Sequence, residues 1–176
     1  MSVTSAESPA RPIHRIAREQ LGSSGFLLAR LGFAFKGKAI AAFEKAGFEL
    51  YDYSVLALLA EGARETQSTI ADSLAVDPSR LVALLDSLEK RGLIARQRDV
   101  QDRRRHVVSI TPDGKRELGR LRGLIKRLEE EFFASLDDES RKTFHDLLLR
   151  LVCEIDPRCA FAAVKPPQLP ESPRSA

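Results

Sequence analysis

Three adjacent arginines, Arg103, Arg104 and Arg105, stand between Asp102 and the alternating run HVVSI in the stretch RDVQDRRRHVVSITPDG at 98–114. Ordering such long side chains on a short loop costs rotamer freedom, so an anionic partner outside the chain is the natural counterweight. A guanidinium is a planar fork whose donors match phosphate oxygens and base edges. Asp102 belongs to the same chemistry. A carboxylate close to Arg104 holds one guanidinium by paired hydrogen bonds, so that a neighbouring arginine is presented in a defined direction. This is the equipment of nucleic-acid binding.

The surrounding charge agrees. Residues 90–105 hold seven basic side chains (Lys90, Arg91, Arg96, Arg98, Arg103, Arg104, Arg105) against Asp99 and Asp102, a local net charge of +5 in a chain whose total is +3. The remainder is slightly acidic, so the basic footprint is concentrated. A solvated charge run is the plain alternative. Arg120, beyond the loop, is expected to matter little to binding.

Reactive groups do not converge elsewhere. His14, His106 and His145 are scattered without zinc-ligand spacing, and no Gly-rich phosphate loop occurs. No metal, cofactor or enzyme activity is expected. Cys153 and Cys159 lie six apart across Pro157, poorly placed for a CxxC redox pair. They read as buried thiols, with an oxidant switch as the alternative.

The 176 residues are 43% hydrophobic and 30% charged, a globular balance. No apolar run approaches the roughly 18 residues needed to span a bilayer. The N-terminus lacks the apolar centre of a secretory signal. The expectation is a cytoplasmic protein without membrane attachment.

The elements that must position the arginines are mostly helical. Leu28, Leu31, Phe35, Ala39, Ala42 and Ala46 recur at helical spacing up to Gly47. Short helices follow at about 52–61 and 67–74. Asp77-Pro78 supplies an N-cap and a first-turn proline for a fourth helix, which turns Leu81, Leu84, Leu85 and Leu88 inward and stops at Gly92. Residues 93–98 and 105–110 then read as a hairpin around the polar loop. Thr111-Pro112 opens a helix whose Leu118, Leu121, Ile125, Leu128 and Phe132 form a helix-packing seam. A last helix at about 139–155 is expected to turn Phe144, Leu147, Leu148, Leu151, Val152 and Ile155 inward. Residues 1–18 read as a flexible arm, 19–46 and 112–157 as helical segments flanking a lobe at 47–111, and 158–176 as a Pro-rich tail.

Two short helices, a tight turn and a basic hairpin make a winged helix-turn-helix: mainly α with a small β-hairpin wing, beside a helical dimerisation region. The fourth helix offers Ser79 and Arg80 to a major groove. The wing reaches a neighbouring minor groove, where narrow width concentrates negative potential. At the start of the third helix, Gln67, Ser68 and Thr69 suit phosphate contact, simple capping, or both.

The motifs DPSRLVALLDSLEKRGLIAR at 77–96 and DRRRHVVSITPDG at 102–114 resemble those of the MarR-type winged helix regulators, and flanking helices extend the resemblance over about 20–157. It implies a homodimer formed by the first and last two helices, through Leu121, Ile125, Leu128, Phe144, Leu148 and Leu151. It also implies a pseudo-palindromic site on double-stranded DNA and, commonly, release by a small molecule. Asp102 and Arg104 match the wing's acid–base pair and Arg103 its groove-facing partner, with Arg98 and Arg105 completing the basic surface. Val82 and Ala83 stand where many relatives carry polar or basic residues, so selectivity is expected to lean on the wing and on DNA shape. In the family the effector site lies between dimer helices and binding lobe. There Arg30, Phe33, Lys36, Tyr51 and Tyr53 would suit an aromatic or fatty carboxylate. Repression is the default outcome. A protein-docking winged helix, or a redox regulator using Cys153 and Cys159, are the other readings.

Overall fold

The computed structural model describes residues 15–62, 65–98, 106–156 and 158–159. The chain divides into two compact units, 1–38 and 39–176. The described residues run α1 (Arg18–Leu21), α2 (Ser24–Lys45), α3 (Leu50–Ala60), β1 (Glu65–Thr66), α4 (Gln67–Leu74), α5 (Pro78–Lys90), β2 (Ile94–Arg98), β3 (His106–Ile110), α6 (Pro112–Phe132) and α7 (Asp138–Ile155). The architecture is mainly helical, with a three-stranded antiparallel sheet in the order β1-β3-β2. No helix among the described residues is long and apolar enough to cross a membrane.

The smaller unit holds α1 and the first part of α2. The helix expected from Gly22 forms as the continuous α2, which starts where the Ser23 hydroxyl accepts the Phe26 N–H at 3.3 Å, after the separate short α1. Leu27, Leu28, Leu31 and Phe33 are exposed on this part of α2, Phe33 at 80%.

The larger unit is built on one apolar cluster. Leu81, Leu84, Leu85 and Leu88 of α5 are buried, with Val55, Leu56 and Leu59 of α3, Ile70 of α4, Val108 of β3, and Leu118 and Leu121 of α6. These positions repeat every three or four residues, so each helix buries one stripe against its neighbours. Leu121 is therefore corrected. Expected where two copies meet, it is fully buried in its own chain's core, with no surface left for a partner.

Local chemistry sets the ends of the reading elements. Asp77 accepts from the Ser79 and Arg80 amides at 2.9 and 3.3 Å, and Pro78 occupies the first turn. The chain leaves α5 through Gly92 at φ 71°, a left-handed C′ residue that lets Leu93 N–H reach Leu88 O at 3.0 Å. Thr111 caps α6 and also donates its hydroxyl to Gly92 O at 2.7 Å. Helix α7 departs from expectation. None of its residues is buried, and Leu147, Leu151 and Ile155 are 54%, 55% and 82% exposed. Among the described residues, Leu147, Leu151 and Ile155 are left largely uncovered.

Candidate nucleic-acid interface

Helix α4 starts one residue after its true cap. The Thr66 N–H donates to Thr69 Oγ1 at 2.8 Å, the Thr69 N–H returns to Thr66 Oγ1 at 3.3 Å, and the Thr69 hydroxyl donates to buried Glu65 Oε2 at 2.6 Å. Thr69 is thus taken up by capping. Gln67 is half-buried and Ser68 exposed in the same first turn.

Ser79, Arg80, Val82 and Ala83 are all exposed on the first two turns of α5. The Asp77 carboxylate fills the amide end of this helix, so contact there falls to side chains rather than to free N–H groups. The Arg80 guanidinium lies 4.8 Å from the Tyr51 ring centroid and 3.8 Å from Glu49 Oε2. This stacked arrangement gives a long cation a defined starting position.

The wing is fastened to α5 by Arg96. Its Nη2 lies 2.5 Å from Asp86 Oδ1, and its backbone N–H donates to Glu89 Oε1 at 3.2 Å. Arg96 Nε is buried and faces Glu89 Oε2 at 3.5 Å, near enough for charge pairing without hydrogen-bond alignment. Arg98 and His106 are cross-strand partners, both exposed, where β2 and β3 approach the loop. Asp102, Arg103, Arg104 and Arg105 lie outside the described residues.

Behind α5, the turn joining α2 to α3 is gripped by two further arginines. Arg91, the C-cap of α5, stacks 3.8 Å from the Phe48 ring centroid, with Nη1 3.8 Å from Asp52 Oδ2. Arg120 lies 5.4 Å from the same ring and donates to Ala46 O at 3.2 Å. Asp52 is buried and closes the capping box of α3 by accepting the Glu49 N–H at 2.7 Å. Desolvation raises its pKa above the ordinary value, with that hydrogen bond and Arg91 acting in the opposite direction. A cleft of about 510 Å³ lies here, lined in part by Glu49, Asp52, Arg80, Leu84 and Arg91. Sequence reading counted Arg91 as part of the basic footprint and missed its pairing with Phe48 and Asp52, which are remote in sequence and joined by no local signal.

The residues expected to line an effector site are placed individually. Arg30, Phe33 and Lys36 are exposed on the first part of α2. Tyr51 holds Arg80, and Tyr53 packs edge-on against Phe43 at 5.7 Å. Of the expected dimer residues, Ile125, Leu128, Phe144 and Leu148 are half-buried and Leu151 exposed. Cys153 and Cys159 are free and half-buried. Partial burial, then the nearby Asp156 carboxylate, pushes the Cys159 thiol up, which lowers its thiolate fraction and its reactivity toward oxidants. Past α7, Arg158 binds both oxygens of Asp156 and donates to Asp72 O and Ser73 O at 3.3 and 3.5 Å, at the C-terminal end of α4.

A MarR family model matches residues 49–106. The chain is 33% identical over 135 residues to the putative transcriptional regulatory protein for the hcr operon of Thauera aromatica, covering 72% of this chain and 81% of that one. CouR from Rhodococcus jostii RHA1 bound to p-coumaroyl-CoA has a TM-score of 0.62 at 30% identity, over 77% of this chain and 95% of that chain. The transcriptional repressor CouR bound to a 23-mer DNA duplex has a TM-score of 0.70 at 27% identity, over 80% of this chain and 99% of that chain.

Proposed function

The chain belongs to the MarR family of transcriptional regulators, and from that premise we propose that it is a homodimeric repressor released by a small acidic effector. Two copies set their α5 helices in successive major grooves, roughly 34 Å apart, on a pseudo-palindromic operator. Ser79 and Arg80 meet base edges or phosphates, and Gln67, Ser68 and Thr69 lie against the backbone. Arg98, Arg103, Arg104 and Arg105 enter the adjacent minor groove, with Asp102 steering Arg104. Bound at a promoter, the dimer excludes polymerase.

The observation that carries this reading is the bond from Arg96 to Asp86 and Glu89, which makes recognition helix and wing a single reading surface. The exposed apolar face of α7 supports a second copy as its cover, since a bare patch of this kind is unusual on a monomer. Ile125, Leu128, Phe144, Leu148 and Leu151 are the residues assigned to that contact, with residues 19–46 and 112–157 supplying the helices.

The effector is an aromatic or fatty carboxylate or its coenzyme A thioester, taken by Arg30, Phe33, Lys36, Tyr51 and Tyr53. The p-coumaroyl-CoA bound by CouR supports that class. By favouring the wrongly spaced dimer, the ligand lowers DNA affinity, on the usual coupling scale by about five- to 150-fold.

Light scattering of the free protein, followed by titration of a duplex selected from a random pool, tests the reading. Two chains per duplex, displaced by an aromatic acyl thioester, is the expected result. A monomer that enriches no duplex would overturn it.

A further inference from the structure

The exposed surface of α5 contains a feature that neither packing nor charge accounts for. Val82 is 42% exposed and lies outside the apolar core, and Ala83 beside it is exposed too. Valine is a poorer helix former than alanine or a long polar residue, so its presence there does not serve the helix. Its surroundings restrict what it can meet. Toward the helix C-terminus, Asp86 and Glu89 are engaged by Arg96. Toward the N-terminus, Asp77 occupies the first amides. The part of α5 left to face a duplex is its first two turns: Ser79, Arg80, Val82 and Ala83.

On the reading that α5 enters a major groove, we propose that Val82, helped by Ala83, reads thymine through its C5-methyl group. An aliphatic side chain neither donates nor accepts a hydrogen bond. The floor of the major groove otherwise presents donors and acceptors, and the thymine methyl is its apolar feature. A donor or acceptor of cytosine, guanine or adenine placed against Val82 would lose water without a replacement partner. Thymine at that step can meet the side chain with its methyl, which is buried there. The specificity is therefore partly negative: polar base edges are rejected as well as methyls attracted. Ser79 and Arg80, one turn or less away, supply the polar contacts that fix register.

The test uses the full-length protein and duplexes selected from a random 30-bp pool. Each thymine of the selected half-site is replaced in turn by deoxyuridine, which removes only the methyl. Burial of one methyl group corresponds to about a fourfold change in affinity. The expected result is one or two thymines per half-site where the replacement weakens binding by about that factor. In Val82→Ala, which removes no core residue and should fold at least as stably as wild type, the loss at one of those positions shrinks to less than about twofold. Indifference of the wild type to every deoxyuridine, or an unchanged response in Val82→Ala, overturns the proposal while leaving DNA binding intact. A protein that enriches no duplex overturns the broader reading as well.

Discussion

Arg96 and Asp86 meet at 2.5 Å between strand β2 and helix α5, with the arginine side chain 16% and the aspartate 60% exposed. The pair ties strand β2 to helix α5, which on the proposed reading fixes the angle at which wing and helix address a duplex. Asp86→Asn separates positioning from plain electrostatics. Removing a negative charge from a DNA-facing helix should tighten binding by charge alone. The structural account predicts the opposite: weaker binding, by about three- to tenfold if roughly 1 kcal/mol of positioning is lost. Anisotropy titration of Asp86→Asn against wild type distinguishes the two signs, and tighter binding would contradict the positioning role.

Gly114 supports the same surface from below. A Cβ there would sit 2.0 Å from Leu93 O and 2.8 Å from Ile110 Cγ1, against backbone that cannot swing away. Gly114→Ala should cost about 3 kcal/mol, the upper end of overpacking penalties, read by urea denaturation. A loss below about 1 kcal/mol would show that the wing's exit adjusts freely.

Asp52 makes stability depend on pH in an unusual direction. Burial raises its folded pKa above the ordinary 3.8, so its contribution is fully present below that value and lost as pH rises through the raised one. Asp52→Asn keeps an acceptor for the Glu49 N–H without the buried charge. The variant should gain stability relative to wild type at pH 7, and that gain should shrink as pH falls toward 4. Denaturation curves across this range check it; a gain that grows on acidification would contradict the assignment.

Arg158 ties the end of α7 to the end of α4. Its guanidinium satisfies carbonyls that a helix terminus leaves open. In Arg158→Ala, hydrogen exchange at the Ala75 and Val76 amides, which bond to Asp72 O and Ala71 O, should accelerate, with DNA affinity falling a few-fold. Unchanged exchange at both amides would remove Arg158 from any coupling role.

What the sequence made legible was local. Asp77-Pro78 and Thr111-Pro112 announced two helix starts because cap and proline are adjacent in the chain. Leu81, Leu84, Leu85 and Leu88 announced a buried stripe because helical period is a property of neighbours. Strand β1 escaped notice: two residues, Glu65 and Thr66, carry no alternation, and only their pairing with Val108 and Val107 makes them a strand. The start of α4 was legible at Gln67, whereas the reciprocal capping of Thr66 and Thr69 was not. The contacts of Arg158 with Ser73 O and of Arg120 with Ala46 O were not legible, because the partners are remote in sequence. Leu121 fitted a helix seam equally well facing inward or toward a second copy, and only packing against the core resolves the choice. The concentration of basic charge at 90–105 was legible, yet the anchor of Arg96 to α5 was not, since Arg96 and Asp86 are ten residues apart across a change of secondary structure.

The most direct measurement is the salt dependence of affinity for a selected duplex, made on wild type and on Arg104→Ala. Each phosphate neutralised steepens the fall of log K with log salt by about 0.9. A steep linear fall is expected, with two chains per duplex and a slope shallower by about one unit for each wing in the variant. Affinity indifferent to salt, or the same slope in Arg104→Ala as in wild type, would contradict a wing that holds DNA.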